Sequence, residues 1–225
     1  MEINADFDQR VVIHTPTLPW LDSPMKGVRR RMLDRVGDEV ARATSVVQYA
    51  PGSRFSPHVH HGGEEFIVLE GVFQDEHGDY PAGTYVRNPP QSKHTPASGE
   101  GCVIFVKLWQ FEMNDRTTVR IDINAVEPDA NLSRPGIEAL PLFENHEETV
   151  QAQNWSPGAE IYLDTSGGAE LYVLNGDLWE SSDHLLPGSW LRTPANSAIN
   201  AVAGEQGARV WIKSGHLRYV RTPVV

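Results

Sequence analysis

The chain repeats one pattern of turn residues, and this repeat restricts its fold more than any other feature. Pro51-Gly52 recurs as Pro157-Gly158, and Gly62-Gly63 recurs as Gly167-Gly168. The offset is 105 or 106 at every matched position, so two gaps of one residue align the two halves. The other matches pair Glu65, Val68, Leu69, Gly71, Gly83, Arg87, Pro89, Ser92 and Lys107 with Glu170, Val173, Leu174, Gly176, Gly188, Arg192, Pro194, Ser197 and Lys213. Self-similarity of this kind predicts two homologous domains in tandem.

Each half is predicted to be an all-β sandwich or barrel. No long stretch has a 3.6-residue apolar period, and turn residues recur about every ten residues. Residues 28–36 and 40–49, joined by Gly37-Asp38-Glu39, predict a hairpin, with a helix over 28–36 as the alternative. A segment rich in Asn, Asp and Pro, residues 124–136, separates the halves. We therefore predict domains at residues 1–124 and 125–225, with residues 1–26 as lead-in strands of the first domain.

Charge and cysteine content exclude several classes of function. The formal net charge is −11 over 225 residues. Nucleic acids and acidic membranes attract clustered Lys and Arg, so we expect neither as a partner. We expect the basic run Arg29-Arg30-Arg31 to be a solvated face. The single cysteine, Cys102, excludes an intramolecular disulfide and predicts a buried thiol in a cytoplasmic protein. We expect neither a signal peptide nor a membrane-spanning segment, because no stretch has the apolar pattern of either.

A group of potential metal ligands lies in the first half alone. His58 and His60 are two residues apart, so an extended strand directs both imidazoles to one face. The acidic pair Glu64-Glu65 follows, and His94 comes after a second strand-like run. Histidine nitrogens with one carboxylate oxygen suit zinc, iron, manganese, nickel or copper. The pattern predicts a mononuclear metal site.

The repeat acts as an internal control on this site. The positions equivalent to His58, His60, Glu64 and His94 hold Leu163 or Asp164, Thr165, Ala169 and Ile199. All the proposed ligands are therefore replaced together, while the turn glycines and prolines persist. Glu65 recurs as Glu170, so Glu64 is predicted to be the ligand and Glu65 to be structural. We expect the second domain to hold no metal.

The same control assigns other polar residues to the fold. Arg87 recurs as Arg192, so we predict that Glu65 pairs with Arg87 and Glu170 with Arg192 on neighbouring strands. His61 is out of phase with the ligands and should point away from the metal. His77 is expected at a turn, and the remaining histidines are expected to be surface or capping residues: His14, His146, His184 and His216. Each predicted wall residue of the barrel is expected to pack in the core rather than to contact a substrate: Tyr49, Phe55, Phe66, Tyr85 and Phe105.

These residues resemble two motifs of the cupin superfamily. The first, G-x5-H-x-H-x3or4-E-x6-G, is matched in full by Gly52, His58, His60, Glu64 and Gly71. The second, G-x5-P-x-G-x2-H-x3-N, is matched by Gly83, Pro89 and His94, with Gln91 and Ser98 replacing its second glycine and its asparagine. The resemblance implies two tandem RmlC-like jelly-roll barrels, a bicupin.

Within cupins, residues 63–71 and 80–90 resemble the cupin-like domain of ChrR anti-sigma factors. The similarity is strong over residues 20–110 and weak over 136–220. It implies zinc held by His58, His60, Glu64 and His94, as one divalent ion per chain, with iron, manganese and nickel as alternatives. A separate helical domain holds the sigma factor in that family. The N-terminal segment here has no cysteine pair and no helical periodicity, so sigma binding is not expected.

Three functions remain open from the sequence. The first is a metal-dependent small-molecule enzyme, a dioxygenase-like oxidoreductase or an isomerase, with catalytic residues unknown. The second is a ChrR-like regulatory module for stress responses that binds zinc without turnover. The third is a storage-like bicupin. A small-molecule ligand is the expected partner, and a homodimer is an expected assembly because jelly-roll sheets often pair across two-fold interfaces.

Overall fold

The computed structural model describes residues 1–223, which are almost entirely β-structure. Two short 3-10 helices, Thr15–Thr17 and His216–Tyr219, are the helical elements of the described residues. The strands in chain order are β1 Glu2–Ile3, β2 Val11–His14, β3 Leu21–Asp22, β4 Val28–Gly37, β5 Ala41–Tyr49, β6 Ser53–Arg54, β7 His58–Val59, β8 Glu64–Asp75, β9 Gly78–Pro81, β10 Thr84–Asn88, β11 Lys93–His94, β12 Ala97–Ser98, β13 Cys102–Leu108, β14 Val119–Asp122, β15 Ile137–Glu144, β16 Thr149–Trp155, β17 Glu160–Thr165, β18 Ala169–Glu180, β19 Asp183–Leu185, β20 Ser189–Thr193 and β21 Ser197–Ser214. Over residues 1–223, no helix is long and apolar enough to cross a membrane.

The first compact unit contains residues 1–5 and 19–125, with the described residues from Arg221 onward. Its main sheet has the order β1-β4-β5-β13-β8-β10-β14, and β7 pairs separately with β11. The hairpin prediction is confirmed, since β4 and β5 pair antiparallel and no helix forms over residues 28–36. Alternate residues of the strands, such as Phe66, Val68 and Ile104, form a buried apolar cluster.

The second unit contains residues 126–220 and the N-terminal segment 6–18. Its sheet has the order β15-β16-β21-β18-β20-β2, with β17 on β21 and β19 on β18. A buried apolar cluster again fills the interior, and it includes Leu171, Val173 and Val210. The fold is therefore all-β with two tandem barrels, as the repeat predicted.

The N-terminal segment differs from the expected division of the chain, which placed residues 1–26 in the first domain. Strands β1 and β3 do pair with β4 of the first unit, but β2 pairs with β20 of the second. Val11 lies opposite Arg192, as Val119 of β14 lies opposite Arg87. Strand β2 thus completes the edge of β20 as β14 completes β10, and pairing satisfies backbone groups that an open edge would expose.

The repeated glycines are explained by the same backbone geometry in both units. Gly71 has φ +70° and Gly176 has φ +68°. A Cβ on either would lie 2.0 Å from a carbonyl oxygen, that of Gly101 or of Gly207 respectively. Only glycine tolerates both the left-handed conformation and this approach. The shared glycines therefore belong to the fold and carry no information about the site.

The repeated charged residues also have equivalent places. Arg87 lies directly opposite Glu65 in the pairing of β10 with β8, and Arg192 lies directly opposite Glu170 in the pairing of β20 with β18. Glu65 accepts a hydrogen bond from the Tyr85 hydroxyl at 2.7 Å. All of these side chains are buried. The register agrees with the predicted Glu–Arg pairs, and the ion pairs themselves remain a prediction.

Candidate metal centre

Three histidine side chains converge at one end of the first barrel. His58 of β7 lies opposite His94 of β11, and His60 follows β7 immediately. The ring centroids are 4.8 Å apart for His58 and His60, 5.0 Å for His58 and His94, and 4.6 Å for His60 and His94. One nitrogen from each ring lies within 4.8 Å of the other two. Such a spacing lets one ion contact all three rings.

Glu64 completes the cluster from the first position of β8. Its Oε2 lies 3.4 Å from His60 Nε2 and 3.6 Å from His94 Nε2. The Asn88 amide donates a hydrogen bond to the same oxygen at 3.2 Å, which fixes the carboxylate. His60, Glu64 and His94 are buried, while His58 is partly exposed. The structure thus brings the four predicted side chains together.

The turn between His60 and Glu64 depends on two glycines. A Cβ on Gly62 would lie 2.1 Å from the Trp109 ring, and one on Gly63 would lie 2.4 Å from the Phe111 ring. Gly63 also has φ +78°. The chain can therefore turn tightly enough for residues of β7 and β8 to face one point.

Two buried nitrogens in this cluster have no hydrogen-bond partner. They are His60 Nε2 and His94 Nε2, and neither makes a hydrogen bond with any residue of the described chain. Leaving a buried polar atom unsatisfied costs about 1–3 kcal/mol. Both atoms face Glu64 at distances slightly too long for a hydrogen bond. Neutral imidazole nitrogens beside one carboxylate form a donor set that fits a divalent ion.

A second carboxylate orients His94. Asp75 Oδ2 lies 3.3 Å from His94 Nδ1, and Asp75 Oδ1 accepts hydrogen bonds from the Tyr80 hydroxyl and the His77 amide at 3.0 and 2.8 Å. A proton on Nδ1 would leave the Nε2 lone pair available to a cation beside Glu64. Asp75 was not among the predicted site residues. It lies at the opposite end of β8 from Glu64, and no sequence motif links it to His94.

The electrostatics of the cluster differ from residue to residue. Burial opposes the ionised form of Glu64, but His60, His94 and the Asn88 hydrogen bond outweigh it and lower the pKa of this carboxyl. Burial lowers the pKa of His60, an effect that Glu64 offsets only in part. Burial would also lower the pKa of His94, but Asp75 and Glu64 together raise it. Glu64 is therefore an anion at neutral pH, as a ligand must be.

A cavity of about 350 Å³ adjoins the cluster and is lined by His58, His60 and Glu64. Its apolar walls come mainly from β4, β5 and β13, and they include Val28, Val47, Ile104, Val106, Leu108 and Trp109. Tyr49 and Phe55 line it as predicted, whereas Phe66, Tyr85 and Phe105 do not. His61 is exposed at the rim and lies outside the three-histidine cluster. A small molecule could reach the candidate centre through this cavity.

Comparison with known proteins agrees with this geometry. Residues 8–112, slightly under half of the chain, match the family model of the ChrR cupin-like domain. A candidate dioxygenase from Nostoc punctiforme has a similar structure over 97% of this chain and 87% of its own, with a TM-score of 0.78 and 14% identity. Residues 8–112 are thus similar to a cupin-like domain, and the structural likeness shows a related fold over nearly the whole chain.

Two further solved structures resemble this chain. The bacterial pirin YhhW of Escherichia coli, solved in complex with nickel(II), aligns over 92% of this chain and 98% of its own, with a TM-score of 0.66 and 12% identity. A deletion mutant of Bacillus subtilis oxalate decarboxylase OxdC aligns over 91% and 76%, with a TM-score of 0.60 and 11% identity. At such identities the likeness concerns the fold alone. No curated protein matches the chain significantly by sequence.

The second barrel shows which residues stand at the positions of the four predicted ligands. Leu163 lies opposite Ile199, as His58 lies opposite His94, so Leu163 and not Asp164 is the equivalent of His58. Ala169 begins β18 as Glu64 begins β8. Leu163, Ala169 and Ile199 all pack in the apolar cluster of this unit. Apolar side chains therefore stand where three of the four predicted ligands stand in the first barrel.

Two expectations about individual side chains were wrong. His216 was expected on the surface, but it is buried, and its Nε2 lies 2.9 Å from Glu170 Oε1, which gives the ring a hydrogen-bond partner inside the second unit. Arg30 was expected on a solvated face with Arg29 and Arg31, but it is half-buried and lines the cavity of the first barrel. The expectation for Cys102 agrees with its burial.

Proposed function

We propose that the first barrel binds one divalent metal through His58, His60, Glu64 and His94, and that the protein is a metal-dependent enzyme acting on a small molecule. The observation that carries the proposal is the pair of buried, unbonded nitrogens of His60 and His94 beside a carboxylate and an accessible cavity. A bound metal would supply Lewis acidity, or redox chemistry if it is iron or manganese. Zinc remains the first candidate for the ion.

The residues around the cavity have their own roles in this proposal. Apolar walls would exclude water from a bound ligand and strengthen the electrostatic interactions inside. Burial, and then the charge of Glu64, raise the pKa of Tyr49. Its hydroxyl therefore stays protonated at neutral pH and can donate a hydrogen bond to a ligand in the cavity. Tyr49 would orient the substrate rather than transfer a proton.

A second candidate is a regulatory module that holds zinc without turnover, and the match of residues 8–112 to the ChrR cupin-like domain favours it. The two candidates differ in coordination. An enzyme needs a coordination position that a ligand can occupy, whereas a structural or sensory zinc site is closed and tetrahedral.

Cobalt(II) substitution distinguishes these candidates. The enzyme proposal predicts a weak visible spectrum, typical of five- or six-coordinate cobalt, that changes when azide is added. The His60→Ala variant should bind cobalt poorly and show neither signal. An intense tetrahedral spectrum that azide leaves unchanged would contradict the enzyme proposal and support the regulatory one.

A further inference from the structure

Arg30 has an unusual position among the basic residues of β4. Arg31 lies over the Trp20 ring with its guanidinium carbon 4.2 Å from the ring centroid, and Arg29 lies 5.9 Å from the same centroid. Successive side chains of a strand alternate between its two faces. Since Arg29 and Arg31 share the face that carries Trp20, Arg30 points to the opposite face, which is the barrel interior.

The pairing of β4 with β5 supports this direction. Arg30 lies opposite Val47, and directly paired residues of neighbouring strands project from the same face. Val47 packs against the interior apolar cluster and lines the cavity. Arg30 lines the same cavity and is only half-buried, so its charge retains contact with water.

Of the two arginines that line the cavity, Arg30 is the one whose guanidinium has no hydrogen-bond acceptor within residues 1–223. Arg35, the other arginine of the lining, donates to the carbonyl oxygens of Gly37 and Asp38. The guanidinium of Arg30, in contrast, makes no hydrogen bond or ion pair with any residue between 1 and 223. A guanidinium that faces a partly apolar cavity without a partner is a ready site for a carboxylate.

The charges around the cavity favour the same class of ligand. Its charged lining residues, apart from the histidines, are Arg30, Arg35, Glu39 and Glu64. Glu39 is exposed at the hairpin end, and Glu64 faces the histidine cluster. A divalent metal at that cluster would make the cavity net positive. The attraction of an anion would then exceed that of a neutral molecule of equal size.

We propose that this cavity binds a small organic carboxylate, with its carboxylate group paired to Arg30 and its apolar body against Val47, Ile104 and Val106. The proposal rests on the proposed function, because it names the substrate class of the same site. Arg30 would determine specificity for the anion. A volume of about 350 Å³ accommodates an acid of modest size.

Binding of a matched pair of probes tests the proposal. The acid is 4-methyl-2-oxopentanoate and the neutral control is its methyl ester, each titrated into zinc-loaded and metal-free protein by calorimetry or ligand-observed NMR. Wild type should bind the acid more tightly than the ester. Arg30→Gln should weaken acid binding about 10- to 100-fold, as expected for loss of a charged hydrogen bond, and leave ester binding unchanged.

Two further variants control the experiment. Arg29→Gln, on the opposite face of the strand, should change neither affinity, and Arg30→Lys should retain part of the acid affinity. The proposal is overturned if the acid fails to bind wild type, if acid and ester bind equally, or if Arg30→Gln binds the acid as wild type does.

Metal binding and carboxylate binding are tested separately by these measurements. If Arg30→Gln binds the acid as tightly as wild type does while the zinc content is normal, only the carboxylate proposal is refuted. Absence of zinc binding would refute the metal site, while the difference between acid and ester in metal-free protein would still test Arg30. Thermal unfolding of each variant establishes that the fold is intact.

Discussion

Replacement of Asp75 by Asn tests how the protein holds His94. The Asp75 side chain is 1% exposed and lies 3.3 Å from His94 Nδ1. Carboxylates that orient metal-binding histidines typically contribute 10- to 100-fold to metal affinity. Asn can still accept a hydrogen bond from Nδ1, but as a neutral group it forms roughly half as strong a bond. We therefore expect zinc affinity to fall about tenfold, or about 1.4 kcal/mol.

The same variant should change the titration of His94. Burial opposes protonation of this ring, and the hydrogen bond with Asp75 is the first of the interactions that nevertheless raise its pKa in the metal-free protein. A raised folded-state pKa stabilises the fold below the unfolded value, near 6.5, and this stabilisation is lost as the pH rises through the folded pKa. Without the Asp75 charge, the pKa of His94 should fall and most of that pH-dependent stability should disappear.

Two measurements check these effects. Competition with a chromogenic chelator at fixed pH gives the zinc affinity, and long-range 1H–15N NMR gives the tautomer and pKa of His94. Asp79→Asn is the matched control, because Asp79 is exposed and its carboxylate accepts a hydrogen bond from Gln74. Unchanged affinity together with an unchanged His94 titration in Asp75→Asn would refute the role assigned to Asp75.

Two other predictions concern stability and reactivity. Gly71→Ala should lower the free energy of unfolding by at least about 2 kcal/mol, because its Cβ would meet a carbonyl oxygen 2.0 Å away. Gly52→Ala, at φ +76° with no atom within 4 Å, should lower it by only about 1 kcal/mol through backbone strain. Urea titrations that gave equal losses for the two variants would contradict this. Burial raises the pKa of the Cys102 thiol to about 11, so Ellman's reagent should label it slowly in native protein and rapidly in urea, and fast native labelling would contradict its burial.

The repeat made the barrel and the histidine cluster accessible to sequence analysis. Positions shared by both halves, such as Gly71 and Gly176, identify turns that any copy of the fold requires. Positions that differ, such as Glu64 and Ala169, identify where the first half has polar groups of its own. The four side chains lie together as this comparison suggested, and their binding of a metal is the part that remains to be measured.

Other features depend on long-range pairing that no local pattern contains. Arg30 cannot be distinguished from its basic neighbours until the pairing of β4 shows which face each occupies. The sequence of β2 does not show which barrel it pairs with, because both barrels have a similar edge strand. His216 is buried only because its 3-10 helix brings it to Glu170, a residue 46 positions earlier in the chain.

Measuring the metal content shows whether the first barrel holds an ion. Wild-type protein, Glu64→Ala, His94→Ala and His184→Ala would each be stripped, reloaded with zinc, desalted and analysed by inductively coupled plasma mass spectrometry. His184 is the control, since it is exposed in the second unit and stacked on Trp179. The account predicts one ion per chain in wild type and His184→Ala, and much less in the other two variants. Equal metal content in all four proteins, or none in any of them, would contradict it.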